Sequence, residues 1–300
     1  MSGVPGRVAL VGLGEVGRIF AEDLRAAGVT DLTAWDVAFD RPGSPAPRNA
    51  EALGLAPAPG AAEAVGGAAL VLSAVTASQC LPAAQAVAPH LEPGAWFLDL
   101  NSASPGHKQQ AAAVVDARGG RYVEAALMSP IAPRRLASPF LLGGPHAAAF
   151  AAVASRWALA QVTVVSADVG RAAATKLCRS VVVKGLEALL TESMLAARSY
   201  GVERDVLDSL SNILPGTDWE AVAGYFISRS VQHGARRSEE MVEAAATVAE
   251  AGVEPLMALA TAQRQRWAAQ YPQALDAQGT LGLVDAVLAA IRPPAGEAEA

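Results

Sequence analysis

The sequence predicts a two-part α/β protein: a doubly wound, mostly parallel sheet first, then an all-α half reached through one long helix. Three observations carry that expectation. Short apolar runs alternate with helical stretches as far as Ser166, the pattern of βαβ units. From Val169 to about Arg198 there is one helical stretch with no proline and only Gly170 and Gly185 inside it. Beyond it, helical segments are separated by turn signals at Tyr200-Gly201, Pro215-Gly216 and Gly252, and no further strand is needed.

In order, the strands expected are VALVGLG (8–14), LTAWD (32–36), ALVLSAV (69–75), AWFLDLN (95–101), RYVEAAL (121–127), PFLLGG (139–144) and QVTVVS (161–166). EVGRIFAEDLRAAG reads as the helix between the first two. The expected domains are 1–167, a nucleotide-binding half, and 168–292, a helical substrate and dimerisation half. The segment 293–300 is expected to be a frayed tail.

Composition excludes several classes. Hydrophobic residues make up 52% of the 300-residue chain and charged ones 17%, enough apolar matter for sizeable cores. A net charge of −6 argues against nucleic acid. No run of about 18 uncharged apolar residues suggests a membrane span, and no signal-peptide pattern precedes the first strand. The two cysteines, Cys80 and Cys178, make neither a disulfide framework nor a metal set. A cytoplasmic protein with reduced thiols is expected.

Gly12, Gly14 and Gly17 form a GxGxxG that follows a strand and opens a helix, and the next strand ends in Asp36. In that context the pattern predicts a dinucleotide-binding Rossmann fold. Gly12 allows the tight turn, Gly14 the approach of a pyrophosphate, and Gly17 helix–strand packing. The backbone of Gly12, Leu13, Gly14, Glu15, Val16 and Gly17 is expected to hold the diphosphate on the helix N-terminus. Asp36 would accept hydrogen bonds from the adenine ribose and repel a 2′-phosphate. NAD is therefore the expected cofactor, with NADP kept open by nearby Arg41. Ala74, Val75, Thr76 and Asn101, at the carboxyl ends of later strands, complete the cofactor contacts.

The chain has three lysines, Lys108, Lys176 and Lys184, against twenty arginines. Lysine can give and take a proton where arginine cannot. Lys176, Ser180 and Lys184 fall within about 80° on one helix face, with Glu187 alongside. One reading of that stripe is a solvated face with Lys184 and Glu187 paired, which leaves the role of Lys184 open. Lys176, near the helix start, is instead expected at the junction of the halves, beside the strand ends. Cys178 points away from Lys176 and is expected in packing. His233, Arg236 and Arg237 form a second basic group, read either as a site for a substrate anion or as a surface helix pairing Arg237 with Glu239 or Glu240.

Nearly the whole chain resembles the β-hydroxyacid dehydrogenase superfamily, which includes 3-hydroxyisobutyrate and 6-phosphogluconate dehydrogenases. Its glycine loop is matched by Gly12, Gly14 and Gly17. Its D-x-S-T-x-x-P substrate loop is similar to Asp99-Leu100-Asn101-Ser102-Ala103-Ser104-Pro105. Its D-A-P-V-S-G-G loop corresponds to Glu124-Ala125-Ala126-Leu127-Met128-Ser129-Pro130, which lacks both glycines. Its G-x5-K-x3-N motif is matched at Gly170 and Lys176, with Ser180 in place of Asn. The segment SRSVQHGARRSEEMVEAAATVAEAGVEP is similar to a branch of 6-phosphogluconate-dehydrogenase-like oxidoreductases. Val183 stands where the 6-phosphogluconate enzyme has its Glu acid, so 6-phosphogluconate itself is not the expected substrate.

The resemblance implies Lys176 as general acid/base in hydride transfer between NAD(P) and a small carboxylated 3-hydroxy or 3-oxo acid. The expected substrate residues are Asn101, Ser102, Met128, Ser129, Arg179, Ser180, His233 and Arg236. Ser102 also reads as a helix N-cap. The resemblance further implies a homodimer with a shared active site. Two other readings stand beside it: an imine or ketone reductase, from Met128-Ser129-Pro130, and a nucleotide-binding protein without catalysis. The expected partners are a small anionic substrate and a second copy of the chain; no metal, nucleic acid or membrane is expected.

Overall fold

The computed structural model describes residues 6–291, so the tail expected at 293–300 lies outside the described residues. The chain falls into two units, Met1–Leu177 and Cys178–Ala300. The division lies inside the long helix, not before it. The first residues of that helix belong with the sheet because Ala172, Ala173 and Leu177 are buried and a strand carboxylate binds its first turn.

The first unit begins with β1 (Val8–Val11), α1 (Glu15–Ala26) and β2 (Leu32–Trp35). α2 (Pro45–Leu53), α3 (Ala61–Val65), β3 (Leu70–Ser73), α4 (Cys80–Val87), β4 (Trp96–Asp99) and α5 (Pro105–Asp116) follow. Next come β5 (Arg121–Leu127), α6 (Ile131–Arg134), β6 (Phe140–Gly143), α7 (Ala147–Ala151) and β7 (Val162–Ser166). Every strand lies within its expected segment. The strands make one sheet in the order β2-β1-β3-β4-β5-β6-β7. All pairs from β2 to β5 are parallel, and β6 turns antiparallel to β5. The connection into β6 holds one α-helical turn, α6, and a short 3₁₀ turn at Arg135–Ala137, too little to return the chain for a parallel strand.

β1, β3 and β4 are buried at every position, as a sheet covered on both faces requires. Alternate residues feed two cores. Val8, Leu10, Leu70, Leu72, Trp96 and Leu98 face one, while Ala9, Val11, Val71, Phe97 and Tyr122 face the other. The second core is filled largely by alanines and valines of α3, α4 and α5, so helices sit close on that face.

α8 (Arg171–Tyr200) runs on into the second unit, which also holds α9 (Glu203–Leu210), α10 (Trp219–Glu250), α11 (Leu256–Ala268) and α12 (Gly279–Ile291). Its described residues contain no strand. Leu190, Met194, Ile227, Val231, Val284 and Val287 anchor its core. α10 and α11 meet closely at Gly234, where a Cβ would strike the carbonyl oxygen of Gln265.

The polar stripe of α8 is not solvated. Ser180, Lys184 and Glu187 are all buried, Glu187 at 1% exposure. Lys184 Nζ pairs with Glu240 at 2.9 Å and donates to Ser180 Oγ at 3.0 Å. Glu187 pairs with Arg237 and accepts from Gln265 Nε2 at 3.0 Å. Lys184 and Glu187 therefore pair with α10, not with each other, and Arg237 is no partner of Glu239 or Glu240. Cys178, expected in packing, is exposed. It lies on the outward stripe with Val182, Leu186 and Leu189, opposite the buried ionic stripe.

Candidate active site

The glycine loop leaves β1 at Gly12, whose φ of +92° is open to glycine alone. A Cβ there would strike the Ala74 carbonyl of neighbouring β3, and one at Gly17 would strike the Gly12 carbonyl. Those two glycines let backbone pack on backbone. Gly14 differs: a Cβ there meets nothing within 4 Å. Its freedom serves something outside the protein's own packing. Gly14 is the N-cap of α1 and offers no capping side chain, so the first N–H groups of the helix are left for an anion. This cradle fits a dinucleotide diphosphate on Gly14, Glu15 and Val16.

Asp36 closes the same loop. Its Oδ2 accepts from Leu13 N at 2.8 Å and its Oδ1 from Ala38 N at 2.8 Å. The carboxylate is thus fixed at the end of β2. Asn49 Nδ2 donates to the Leu13 carbonyl at 2.8 Å and secures the other side of the loop. Gly12, Gly14, Asp36, Arg41, Ala74, Val75 and Thr76 line one cleft of about 470 Å³ at this edge of the sheet. Pro82, Ala83 and Ala86 of α4 supply apolar wall, as an adenine-bearing ligand needs. Arg41 and Asp36 stand in the same cleft with opposite charge.

Past β4, Asn101 is buried at 5% exposure. Its Oδ1 accepts from Val75 N at 2.7 Å and its Nδ2 donates to Ser73 Oγ at 2.9 Å. Asn101 therefore braces the β3 exit loop that lines the cleft. Ser102 does not cap α5; Ser104 does, accepting from His107 N at 3.4 Å. The Ser102 hydroxyl instead accepts from Lys176 Nζ at 2.5 Å, across 74 positions of sequence.

The remaining expected residues are placed as follows. Met128 donates its N–H to the Pro139 carbonyl at 3.1 Å. The Ser129 hydroxyl is buried with no partner among the described residues. In the second unit Arg179 is exposed, and the Ser180 hydroxyl is engaged by Lys184. His233 lies 2.8 Å from Arg229, one turn earlier on α10. Arg236 pairs with Glu240 at 3.1 Å.

Beneath the Ser102 loop lies a buried polar cluster that sequence reasoning missed. Asp99 Oδ1 pairs with Lys108 Nζ at 2.7 Å and accepts from Asn101 N at 2.9 Å. Asp99 Oδ2 accepts from Tyr122 Oη at 2.7 Å and Cys80 Sγ at 3.2 Å. Burial is the largest influence on the Lys108 ammonium and depresses it, but the acidic groups around it, Asp99 first and then Cys80 and Glu124, together outweigh burial and the net direction is upward. Burial, then Asp99, push the Cys80 thiol and the Tyr122 phenol up. Burial likewise raises the Glu124 carboxyl, against the pull of Lys108 and two backbone N–H groups. A signal for Lys108 was present: Lys108, Ala111, Ala112 and Val115 share the buried stripe of α5.

A family model described as the NAD binding domain of 6-phosphogluconate dehydrogenase matches residues 7–183. A domain of unknown function matches residues 197–268. No curated protein matches the chain. Among solved structures, a conserved hypothetical protein from Sinorhizobium meliloti 1021 is 34% identical, over 96% of this chain and 97% of its own, with a TM-score of 0.73. A conserved protein of unknown function, reported as structurally similar to 3-hydroxyacid dehydrogenases, is 28% identical over 87% of this chain and 97% of its own, with a TM-score of 0.66. A Mycobacterium tuberculosis 3-hydroxyisobutyrate dehydrogenase with L-serine shares the fold, at 19% identity over 94% of this chain and 99% of its own and a TM-score of 0.71. With a nucleotide-binding domain of this kind over more than half its length, the chain belongs to the β-hydroxyacid dehydrogenase superfamily of NAD(P)-dependent oxidoreductases.

Proposed function

We propose that the protein transfers hydride between NAD and a small carboxylated 3-hydroxy or 3-oxo acid, with Lys176 as general acid/base. The observation that carries this reading is the 2.5 Å hydrogen bond from Lys176 Nζ to Ser102 Oγ. It joins the lysine of one motif to the serine of another at the carboxyl end of β4, the end of a doubly wound sheet where ligands bind. The nicotinamide, when bound, supplies the hydride acceptor or donor. In the oxidative direction Lys176 Nζ takes the proton of the substrate hydroxyl. In the reductive direction it returns that proton, and its ammonium form stabilises charge on the oxygen. Ser102 Oγ holds the amine in place and offers a hydroxyl to the substrate. Asp36, fixed by two backbone N–H groups, favours a free 2′-hydroxyl over a 2′-phosphate.

The test follows nicotinamide absorbance with NAD and NADP separately, against 3-hydroxy acids and, in reverse, 3-oxo acids and cyclic imines. A hydroxy-acid activity that falls by about 10²–10⁴-fold in Lys176→Met is expected. Full turnover in that variant overturns the assignment. A second reading, reduction of imines or ketones, is supported by the glycine-free Met128-Ser129-Pro130 turn and its unpartnered Ser129 hydroxyl. Faster turnover of cyclic imines than of any hydroxy acid would establish it. We also propose a homodimer in the cytoplasm. Its support is the exposed apolar stripe Val182, Leu186 and Leu189, of which Val182 is 63% exposed. Light scattering on the purified protein tests the dimer.

A further inference from the structure

We infer that Glu124 is a positioning residue: its buried carboxylate clamps the first turn of α8 and so sets where Lys176 meets Ser102. The inference rests on the proposed role of Lys176. α8 starts at Arg171, straight after Gly170, which has no side chain to cap it. Asp168, the nearest acidic residue before it, is engaged with Ser166. The cap comes instead from a strand 46 positions earlier, where Glu124 Oε2 accepts from Gly170 N at 2.7 Å. Its Oε1 accepts from Ala173 N at 2.5 Å. An anion held by helix N-terminal N–H groups is favoured by both the hydrogen bonds and the dipole. Ala173 lies three residues before Lys176, less than one helical turn.

Three neighbouring elements are shaped around this contact. Gly143, the register partner of Glu124 on β6, leaves the room; a Cβ there would come 2.6 Å from Oε2. Gly170 enters α8 at φ +105°, where an added Cβ would come 3.0 Å from Pro105 at the start of α5. Gln109 of α5 donates to the Val169 carbonyl at 3.2 Å. The entry of α8 is thus fastened both to β5 and to the helix that follows the Ser102 loop.

The other partner of the bond is held by the adjacent strand. Asp99 and Glu124 are register partners on β4 and β5. Asp99 ties down the N–H of Asn101, next to Ser102, while Glu124 ties down the helix of Lys176. Lys108, within electrostatic reach of both carboxylates, lets two acids share a buried site. Strand register therefore fixes the two halves of the Lys176–Ser102 pair.

The test compares Glu124→Gln with the native protein in three readouts: amide exchange at Gly170 and Ala173, kcat against KM, and cofactor affinity. An amide puts an NH2 donor where one of the two accepting oxygens stood and carries no charge. Exchange at those amides should accelerate on the order of ten- to a hundredfold, the range of a hydrogen bond to a charged group. Turnover should fall about tenfold or more with KM and cofactor affinity little changed. Glu124→Asp keeps the charge but shortens the reach, and should lie between the two. Native exchange and native kcat in folded Glu124→Gln overturn the inference. If that variant does not fold, native values in Glu124→Asp do so. If Lys176→Met retains activity, the catalytic reading fails by itself, and amide exchange still decides whether Glu124 clamps the helix.

Discussion

Replacing Lys108 with Met should cost about 3 kcal/mol of stability, because it removes one member of a fully buried ion pair. The side chain is 1% exposed, and its Nζ sits 2.7 Å from Asp99 Oδ1 and 3.2 Å from the Asp99 carbonyl. Breaking such a pair usually costs about 3–5 kcal/mol. The low end applies here, since Asp99 keeps Tyr122 Oη, Cys80 Sγ and Asn101 N. For a unit of this size the loss corresponds to a drop in Tm of roughly 6–12 °C. Thermal unfolding by circular dichroism measures it. Lys108→Met with Asp99→Asn, which removes both charges, should be more stable than Lys108→Met alone. The direction of the Lys108 shift fixes the pH dependence. Its folded pKa is raised, so its contribution is complete below the unfolded value of about 10.4 and disappears as pH rises through the folded value. The gap between native and variant should stay constant from pH 6 to about pH 9 and close only in alkali. A Tm drop of less than about 2 °C, or a gap that closes near neutrality, would refute a buried ionic pair at this position.

Gly14→Ala should fold with stability changed by less than about 1 kcal/mol, because the added Cβ meets nothing, yet weaken NAD binding about tenfold or more. Gly17→Ala should lose roughly 2 kcal/mol or more through its clash with the Gly12 carbonyl; calorimetry with and without NAD separates the two outcomes. Cys178 is exposed and Cys80 buried with its thiol pushed up, so a thiol-disulfide reagent at pH 8 should titrate one group in the native chain and two after denaturation. Arg237→Met should destabilise the helical unit by about 3 kcal/mol, since it strands Glu187 among α8, α10 and α11 with only Gln265 to replace the guanidinium; urea unfolding with an unchanged slope gives the value.

The features legible in the sequence were those whose cause is local. β1, β3 and β4 are apolar runs between turn residues, and the sheet's covered faces demand just that. The glycine loop was legible because Gly12 and Gly17 answer to backbone clashes five positions or one strand away. The antiparallel turn at β6 was not, since it depends on how far two short helical turns can carry the chain. Nor was the burial of Ser180, Lys184 and Glu187. Periodicity put them on one face, but a polar stripe on an alanine-rich helix has two opposite meanings, solvent or a facing polar stripe. Only the positions of Glu240, Arg237 and Gln265 on α10 and α11 decide between them. Cys178 and Val182 went the other way for the same reason: side-chain polarity states a preference, and the neighbouring helix decides the face.

The scarcity of lysine was the strongest single clue, and it pointed further than one catalytic residue. Lys108 reaches a carboxylate oxygen and a backbone carbonyl of the same residue. That is a point-like demand which a compact ammonium meets and a planar five-donor fork would overfill. Lys184 is likewise held between one hydroxyl and one carboxylate. Where a broad, flat cation is tolerated, the chain uses arginine, as at Glu187 and Asp285. Buried space for one small cation and proton transfer are therefore separate reasons for lysine in an arginine-preferring sequence. Only Lys176 has its Nζ against the hydroxyl of a second motif at the strand ends, which is why we propose the proton-transfer role for it and not for the two lysines buried in salt bridges.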